Sequence, residues 1–526
     1  MMFRHAALAP WARRCRQALG ALLTVTLAGL ASAQAEHAAD SAAHATTLPA
    51  TVRAALAAAQ LPPEALAVLV LPADAPEQAP RLAWQIHQPM NPASVMKLVT
   101  TLAALDLLGP AYTWQTPVYL DGTLQGGVLR GNVYVQGQGD PQLVAERLWL
   151  LLQRLQAQGV QAIEGDIVLD RSAFQLGAHD PAAFDGEPLR PYNAAPDALL
   201  INYQTLTLSF VPDVAAGVAR IAWLPPLAQW SAPESVPLAE PGTPCGEWQQ
   251  ALQPQWPEDL LTGYGAQTPR APLRLRLAGR YPAACGERQW SVAVVPQQFA
   301  ARAVEGMWRA VGGRLSGQVR EGRVPAGLAP AFSASSPPLA EVVRNINKFS
   351  NNVMTQQLLL TLGREQGTGG DFDSARQVLQ RWWHQRLGAP APVVDNGAGL
   401  SREARITAAQ LGRLLQQAWA LPVMPEFMAS LPIAGVDGTL RRQQSRATGR
   451  AHLKTGSLRD VMAQAGYVTT APGRRWVVVA LVNHPNAGAA RPVLQALLDW
   501  VVLAEGTPAS AVRAERPERL TRAKPP

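Results

Sequence analysis

The chain has 526 residues, of which 48% are hydrophobic, 16% charged and 6% aromatic, with a formal net charge of +8 and three cysteines. This much apolar sequence excludes a mainly disordered protein, and the length predicts about two to four domains. No uninterrupted apolar run reaches the roughly 18 residues of a membrane span, which excludes a polytopic membrane protein. Three cysteines are too few for a disulfide scaffold or a four-cysteine zinc site.

Residues 1–33 have the pattern of a secretory signal sequence. Four arginines and no acidic residue precede an apolar run from Ala18 to Leu30, and the small residues Ala31, Ser32 and Ala33 follow. This pattern predicts export, with cleavage after Ala33. Cleavage removes Cys15 and lowers the net charge by four.

The last 20 residues, 507–526, form a second basic segment with five basic residues, two acidic residues and four prolines. This composition predicts a solvated, flexible tail, and contact with an anionic surface is the alternative. Because the positive charge is concentrated at the two ends, no nucleic-acid partner is predicted.

Helices and strands occupy separate stretches of the chain. The apolar run 93–108, which begins after Asn91-Pro92 and ends at Gly109-Pro110, predicts a buried helix. Residues 115–300 contain short alternating segments between Gly and Pro turns, which predicts β-rich structure. Within them, the Pro-rich residues 211–290 predict a small nested subdomain.

Helical periodicity returns near residue 338. The predicted helices are 339–363, 374–387, 407–420 and 490–505, and the predicted strands are 451–458, 463–470 and 475–483, of which the last two form a hairpin. Since strands and helices segregate rather than alternate, the sequence predicts an α+β fold.

The cysteines that remain after cleavage, Cys245 and Cys285, lie 40 residues apart. In an exported protein, a disulfide between them is the preferred interpretation, and two free thiols are the alternative.

The first of three short motifs is Ser94-Val-Met-Lys97 at the start of the predicted helix 93–108. Residues three apart on a helix share a face, so the lysine amine can reach the serine hydroxyl. A desolvated, neutral lysine can take the proton of a serine nucleophile. The alternative is an ordinary helix with a surface lysine, but an unpaired lysine in so apolar a helix is costly.

The second motif is Ser350-Asn351-Asn352, just before an apolar helical stretch, and its alternative interpretation is a helix N-cap. The third is Lys454-Thr455-Gly456-Ser457 on a predicted strand, where glycine allows a ligand to approach the backbone closely. Its alternative interpretation is an edge strand with a protective lysine.

The order S-x-x-K, S-x-N, K-T-G resembles that of the penicillin-recognising serine acyltransferases. The interval of 256 residues between Ser94 and Ser350 resembles that of the D-Ala-D-Ala carboxypeptidase and endopeptidase family of class C low-mass penicillin-binding proteins, peptidase family S13. Further segments that resemble this family are 137–143, 165–170, 191–196, 395–402 and 435–440.

The resemblance implies a β-lactamase-like or transpeptidase-like domain, an antiparallel sheet flanked by helices, that is split by a large insertion. The catalytic domain would comprise 48–112 and 300–506, and the inserted β-rich domain 113–210 and 291–299. Residues 211–290 would form a domain nested within the insertion.

The resemblance also implies a role for each motif residue. Ser94 would attack the carbonyl of the penultimate D-Ala and form an acyl-enzyme, Lys97 would take its proton, and Ser350 would relay a proton to the leaving amine. The substrate would be bound by Asn352, Lys454, Thr455, Gly456 and Ser457, with the backbone N–H groups of Ser94 and Ser457 as the oxyanion hole. Neither a metal nor a cofactor is implied, and His452 is interpreted as a strand residue rather than a base.

Three residues outside the motifs are candidates for recognising the charged end of diaminopimelate in the peptide stem. They are Asp170 and Phe174 in the insertion and Arg402 in the catalytic domain, because an amine and a carboxylate call for one acid and one base. For the two charged residues, a surface charge or a salt bridge is the alternative.

The resemblance implies a periplasmic enzyme whose partners are peptidoglycan stem peptides and crosslinks, with β-lactams as inhibitors. The basic tail would then contact the membrane or the wall, if it contacts any surface. A serine β-lactamase and a non-catalytic peptidoglycan-binding protein are the alternatives. The sequence offers no identifiable deacylating base for the first, and all three motifs are intact, which argues against the second.

Overall fold

The structure, a computed structural model, describes residues 47–257, 272–294, 296–388 and 390–503. The predicted signal sequence with Cys15 and the predicted basic tail lie outside the described residues. Within these ranges, no helix is both long enough and apolar enough to cross a membrane.

The elements of the described residues are labelled in chain order. The helices are α1 (Ala50–Ala58), α2 (Lys97–Leu108), α3 (Ala145–Ala157), α4 (Trp248–Ala251), α5 (Pro296–Ala310), α6 (Leu339–Phe349), α7 (Asn352–Gln366), α8 (Phe372–Leu387), α9 (Ala408–Ala420), α10 (Met424–Ser430) and α11 (Arg491–Leu503). The strands are β1 (Leu66–Pro72), β2 (Leu82–Trp84), β3 (Gln115–Gln125), β4 (Val128–Gln136), β5 (Ala162–Glu164), β6 (Ile167–Asp170), β7 (Thr205–Asp213), β8 (Val218–Leu224), β9 (Trp230–Ser231), β10 (Ser235–Pro237), β11 (Pro254–Gln255), β12 (Leu273–Arg274), β13 (Arg276–Leu277), β14 (Arg288–Ala293), β15 (Arg314–Leu315), β16 (Val319–Glu321), β17 (Phe332–Ser335), β18 (Ala451–Leu458), β19 (Val461–Thr469) and β20 (Arg475–Asn483).

A five-stranded antiparallel sheet, ordered β18-β19-β20-β1-β2, forms the centre of the catalytic half. Alternate residues of β20 point to opposite faces, so Val478 and Ala480 pack with α1 and α11, while Val477 and Val479 pack with α2, α6, α8 and α9. Helices cover both faces, which explains why β20 is a continuous apolar run. The predicted α+β class is confirmed.

The predicted helix 93–108 has two parts. Residues Ala93–Met96 form a 3-10 turn, and α2 begins only at Lys97. Almost the whole of α2 is buried, including the Lys97 side chain. Ser94 therefore lies in a turn at the end of a buried helix, where its backbone N–H is not used within the helix.

The predicted helix 339–363 is broken at the second motif. Ser350 adopts a left-handed conformation, with φ 58° and ψ 37°, which ends α6. Asn351 then caps α7, because its side chain accepts a hydrogen bond from the N–H of Met354. The capping role therefore belongs to the middle residue of the motif, and the side chains of Ser350 and Asn352 are available for other contacts.

The inserted unit contains a seven-stranded sheet and a four-stranded sheet. Strands β15, β16 and β17 pair with β5, β6 and β3, so this unit continues to Ser335, beyond the predicted boundary at residue 299. It also contains α3, a helix that lies within the region predicted to be β-rich. Leu148, Leu151 and Leu155 of α3 are buried, and this spacing was a helical signal.

The residues of the predicted nested domain share a core with the rest of the inserted unit. Strand β7 crosses the predicted boundary at residue 211 and pairs with both β8 and β14. Phe210, Trp248 and Tyr281 pack as rings 5.3 to 5.6 Å apart within the same hydrophobic cluster as residues of the larger sheet. A disulfide joins Cys245 to Cys285 at the edge of this cluster.

Candidate active site

The turn that carries Ser94 is held by two asparagines. The Asn91 side chain accepts a hydrogen bond from the N–H of Ala93 at 2.9 Å and donates one to the carbonyl of Ser401 at 2.8 Å. Asn483, at the end of β20, accepts a hydrogen bond from the N–H of Asn91 at 2.8 Å. Ala93 has a φ of +46°, so this network holds a backbone conformation that alanine rarely adopts.

Lys97 lies below Ser94, with 2.9 Å between its Nζ and the Ser94 Oγ. The amine also donates to Asn352 Oδ1 at 2.6 Å and to the carbonyl of Ala398 at 2.5 Å. Complete burial, and then the charge of Lys454, lower the pKa of Lys97 well below that of an ordinary lysine. A neutral amine has two N–H bonds for these two acceptors, which leaves its lone pair for the Ser94 hydroxyl proton.

Lys454 is the second buried lysine of the site. Its amine donates to Ser350 Oγ and to the carbonyl of Thr455, each at 2.8 Å. Burial lowers the pKa of Lys454 to about 7. The contact joins the S-x-N and K-T-G motifs, which are 104 residues apart in the sequence.

Asn352 connects the catalytic half to the inserted unit. Its Oδ1 accepts from Lys97, and its Nδ2 donates to the carbonyl of Tyr192 at 3.1 Å. The Tyr192 hydroxyl in turn donates to Asp185 at 2.9 Å, and the Asn193 amide donates to the same carboxylate at 2.8 Å. The orientation of Asn352 therefore depends on a loop of the inserted unit.

Strand β18 is the outer strand of its sheet, and its face at Gly456 packs against the Ser94 turn. A Cβ atom on Gly456 would lie 2.5 Å from the carbonyl oxygen of Pro92 and 3.1 Å from the Ser94 nitrogen. A side chain at this position would therefore displace the turn that carries Ser94. Next to it, Thr455 Oγ1 lies 2.8 Å from Thr439 Oγ1.

A cleft of about 1000 Å³ opens over these groups. Ser94, Ser350, Thr455 and Ser457 all line it, so the structure brings the side chains of the three motifs to one opening. The other residues that line it are Gly438, Thr439, Leu440, Arg441, Arg442, Gln443, Met462, Ala463, Gln464, Arg491 and Leu494.

Asp170, Phe174 and Arg402 are not among the residues that line this cleft. Asp170 is 2% exposed, and its carboxylate accepts from the N–H groups of Ser172 at 2.9 Å and Val324 at 3.0 Å. Burial raises the pKa of Asp170, but these hydrogen bonds outweigh it and the net shift is downward.

Phe174 is buried, and a Cβ atom on Gly139 would lie 2.5 Å from the end of its ring. Arg402 is about half exposed, with an ion pair to Asp460 at 3.4 Å, and its guanidinium lies 4.6 Å from the centre of the Phe184 ring. Of the three candidates, Arg402 is therefore the one with an accessible polar group.

His452 lies on β18 opposite Tyr467 and is half buried. Burial, followed by the charge of Lys348, lowers the pKa of His452. This is the environment of the strand residue that the sequence predicted.

Sequence reasoning gave no role to Ala398, Tyr192 and Thr439, which contact Lys97, Asn352 and Thr455. All three lie in the segments 395–402, 191–196 and 435–440, whose resemblance to the S13 family the sequence had shown. Two of the three act through backbone carbonyls, which any residue type supplies. The residue pattern could therefore indicate that these segments belong to the site, but it could not predict which contacts they make.

Comparison with known proteins identifies the family. The model of the D-Ala-D-Ala carboxypeptidase 3 (S13) family matches residues 48–501. The chain belongs to this family. It is 28% identical to the D-alanyl-D-alanine carboxypeptidase of Actinomadura, over 77% of this chain and 75% of that protein. It is 25% identical to the D-alanyl-D-alanine carboxypeptidase DacB of Haemophilus influenzae, over 76% of this chain and 81% of that protein.

The fold is also that of a solved relative. The crystal structure of penicillin-binding protein 4 (dacB) from Haemophilus influenzae matches with a TM-score of 0.65 and 22% identity, over 86% of this chain and 98% of that one. A structure of the same protein complexed with a β-lactam matches with a TM-score of 0.62. The predicted transpeptidase-like fold is confirmed.

Proposed function

We propose that the chain is a serine-type D-Ala-D-Ala carboxypeptidase that also cleaves peptidoglycan crosslinks as an endopeptidase. The observation that carries this proposal is the environment of Lys97, a fully buried amine with a lowered pKa whose Nζ lies 2.9 Å from Ser94 Oγ. Such an amine is a base suited to activate a serine hydroxyl near neutral pH. Membership of the S13 family supports the substrate class.

In the acylation step, Ser94 Oγ attacks the carbonyl carbon of the penultimate D-Ala while its proton passes to Lys97. The backbone N–H groups of Ser94 and Ser457 stabilise the oxyanion, a contribution typically worth about 3 kcal/mol per donor. The C–N bond then breaks, and the leaving amine takes a proton through Ser350, which contacts Lys454. Water hydrolyses the resulting ester.

The leaving residue carries a carboxylate, and the proposal places it near Thr455. Lys454 supplies positive potential below this position, and Asn352 would bind an amide of the substrate with the N–H that it does not donate to Tyr192. Recognition of a charged group on the stem by Arg402 is part of the proposal, since its guanidinium is accessible.

The same acyl transfer releases either D-Ala or a whole peptide strand, according to which amine leaves. We therefore propose both activities, and penicillin acylation at Ser94, which the β-lactam complex of the Haemophilus relative supports. The pattern of residues 1–33 supports export to the periplasm as a further part of the proposal.

Fluorescent penicillin and purified muropeptides test the proposal together. We expect a persistent covalent label, release of D-Ala from pentapeptides and conversion of crosslinked dimers to monomers, measured by mass spectrometry. Rapid hydrolysis of penicillin without a persistent label would favour a β-lactamase. Neither labelling nor any change in the muropeptides would favour a non-catalytic binding protein.

A further inference from the structure

The cleft continues beyond the three motifs to a group of arginines. Arg441 and Arg442 follow the turn that carries Thr439, and Arg491 begins α11. All three are exposed and line the same cavity as Ser94. These arginines belong to two segments that are distant in sequence, and the fold brings both segments to the same cavity.

The three charges are not neutralised by neighbouring carboxylates. Within the described part of the chain, none of these arginines forms an ion pair, and no aspartate or glutamate lines the cleft. Two nearby acids are engaged elsewhere: Asp437 pairs with Lys348 at 2.6 Å, and Asp499 accepts from the N–H of Arg446 at 2.8 Å. This end of the cleft therefore carries a concentrated positive potential.

The position of the arginines relative to Thr455 indicates which part of a substrate they meet. Thr455 contacts Thr439, and Arg441 lies two residues beyond Thr439. Since the carboxylate of the leaving residue is placed near Thr455, the arginines lie on the leaving-group side of the scissile bond. A leaving group that extends beyond this carboxylate would therefore contact the arginines.

The two proposed reactions differ in how far the leaving group extends beyond this carboxylate. Released D-Ala ends at its single carboxylate. The strand released from a crosslink continues into the rest of a stem peptide, which carries further carboxylates. Guanidinium groups bind carboxylates in a planar, bidentate manner, and exposed arginines are well suited to this.

We propose that Arg441, Arg442 and Arg491 form a subsite for carboxylates of the peptide strand that leaves when a crosslink is cleaved. This inference rests on the proposed function and adds to it a residue-level basis for endopeptidase activity. The subsite raises kcat/KM for crosslinked dimers relative to D-Ala release, because only the longer leaving group fills it.

The test compares three substrates with variants of the arginines. The double variant Arg441→Gln, Arg442→Gln and the single variant Arg491→Gln are assayed on crosslinked dimers, on pentapeptide monomers and in penicillin acylation. We expect kcat/KM on dimers to fall about 10-fold to 100-fold further than on monomers, the scale of one or two charge-assisted hydrogen bonds. Acylation by penicillin reports whether each variant is folded.

Arg446→Gln is the matched control, since Arg446 is an exposed arginine of the same segment that does not line the cleft. Equal losses on dimers and monomers in variants that penicillin still acylates, unchanged dimer cleavage in both variants, or a dimer-specific loss of equal size in the control would overturn the subsite. A wild-type enzyme that releases D-Ala but leaves dimers intact would also overturn it. A wild-type enzyme inactive on all three substrates would instead overturn the proposed function itself.

Discussion

The cleft and the inserted unit both bury charged side chains, but they satisfy them in different ways. Lys97 and Lys454 are fully buried, and most of their contacts are to groups from distant segments, such as Asn352 and Ser350. Asp170 is almost as buried, yet its carboxylate accepts from the backbone of Ser172 and Val324.

This difference shows that burial of a charge does not by itself indicate catalysis. Burial lowers the pKa of both lysines, and the charge of Lys454 lowers that of Lys97 further, which favours a neutral amine beside Ser94. A carboxylate held by backbone N–H groups stabilises the segments that donate them, here those of Ser172 and Val324. The bonded groups separate the two cases: the lysine amines contact Ser94 and Ser350, which line the cleft, whereas Asp170 accepts from backbone N–H groups outside it.

Loss of the proposed nucleophile, Ser94, is the most severe test of the catalytic side of this comparison. We expect Ser94→Ala to lower penicillin acylation and D-Ala release by more than about 1000-fold, because the acyl bond forms at Ser94 Oγ. A labelling gel and a D-Ala assay measure these two effects. The thermal unfolding midpoint should stay close to that of the wild type, and turnover within about tenfold of the wild type would contradict the assignment.

Removal of the disulfide tests whether the inserted unit can be destabilised without loss of acylation at Ser94. Cys245 and Cys285 enclose 40 residues, and closing such a loop stabilises a fold by roughly 3–4 kcal/mol in the chain-entropy description. We expect the double variant Cys245→Ser, Cys285→Ser to lose stability on this scale in urea unfolding, while penicillin acylation at 25 °C changes only a few-fold. Two free thiols, found by mass after alkylation of the wild type without reductant, would contradict the bridge.

Substitution of Gly456 tests how closely the turn that carries Ser94 and strand β18 must approach each other. In Gly456→Ala, the new methyl group would contact the Pro92 carbonyl and the Ser94 nitrogen, so we expect acylation to fall about 100-fold, the scale of displacing one oxyanion donor. Gly488→Ala is the control, because a Cβ atom there meets nothing within 4 Å. Stopped-flow acylation that is equally fast in the two variants would show that the strand can move aside.

The sequence predicted the catalytic half better than the inserted unit, for a physical reason. In the proposed mechanism Ser94, Lys97 and Lys454 act through side chains, so that chemistry constrains the residue type and spacing. The supporting contacts of Ala398 and Tyr192 use backbone carbonyls, which leave no trace in residue type.

The sheet of the inserted unit continues past the predicted boundary at residue 299 for a related reason. Strands β15 to β17 have two to four residues each and pair with strands more than 100 residues earlier. Such short elements carry little local pattern, and only long-range pairing assigns them to a sheet.

Substitution of Asp170 tests whether its buried carboxylate stabilises the fold or binds substrate. Because its carboxylate accepts two backbone N–H groups, Asp170→Ala leaves both donors without their partner, and we expect a loss of about 2–3 kcal/mol in the free energy of unfolding. Activity per folded molecule should then fall equally on stem peptides and on penicillin. A loss of kcat/KM confined to stem peptides with a free amine would show instead that Asp170 binds substrate. Asp121→Ala, at an exposed position of β3, controls for the loss of one charge.

The smallest expected effect is the pH dependence that the buried lysines impose on stability. The pKa of Lys454 is about 7 in the folded protein, whereas a lysine in an unfolded chain titrates near pH 10.4. Between these pH values the unfolded state binds the additional proton, so the free energy of unfolding rises with pH, by up to about 1.4 kcal/mol per pH unit. Below pH 7 both states are protonated and this contribution to the slope disappears.

The variant Lys454→Met removes this contribution, and urea unfolding at pH 7, 8 and 9 measures it. We expect the wild type to gain stability over this range relative to the variant, and the variant to be the more stable protein at pH 7, because it no longer buries an ammonium group. Parallel pH profiles for the two proteins would mean that Lys454 keeps an ordinary pKa. Lys454 would then stay charged over this pH range, and its charge would continue to lower the pKa of Lys97.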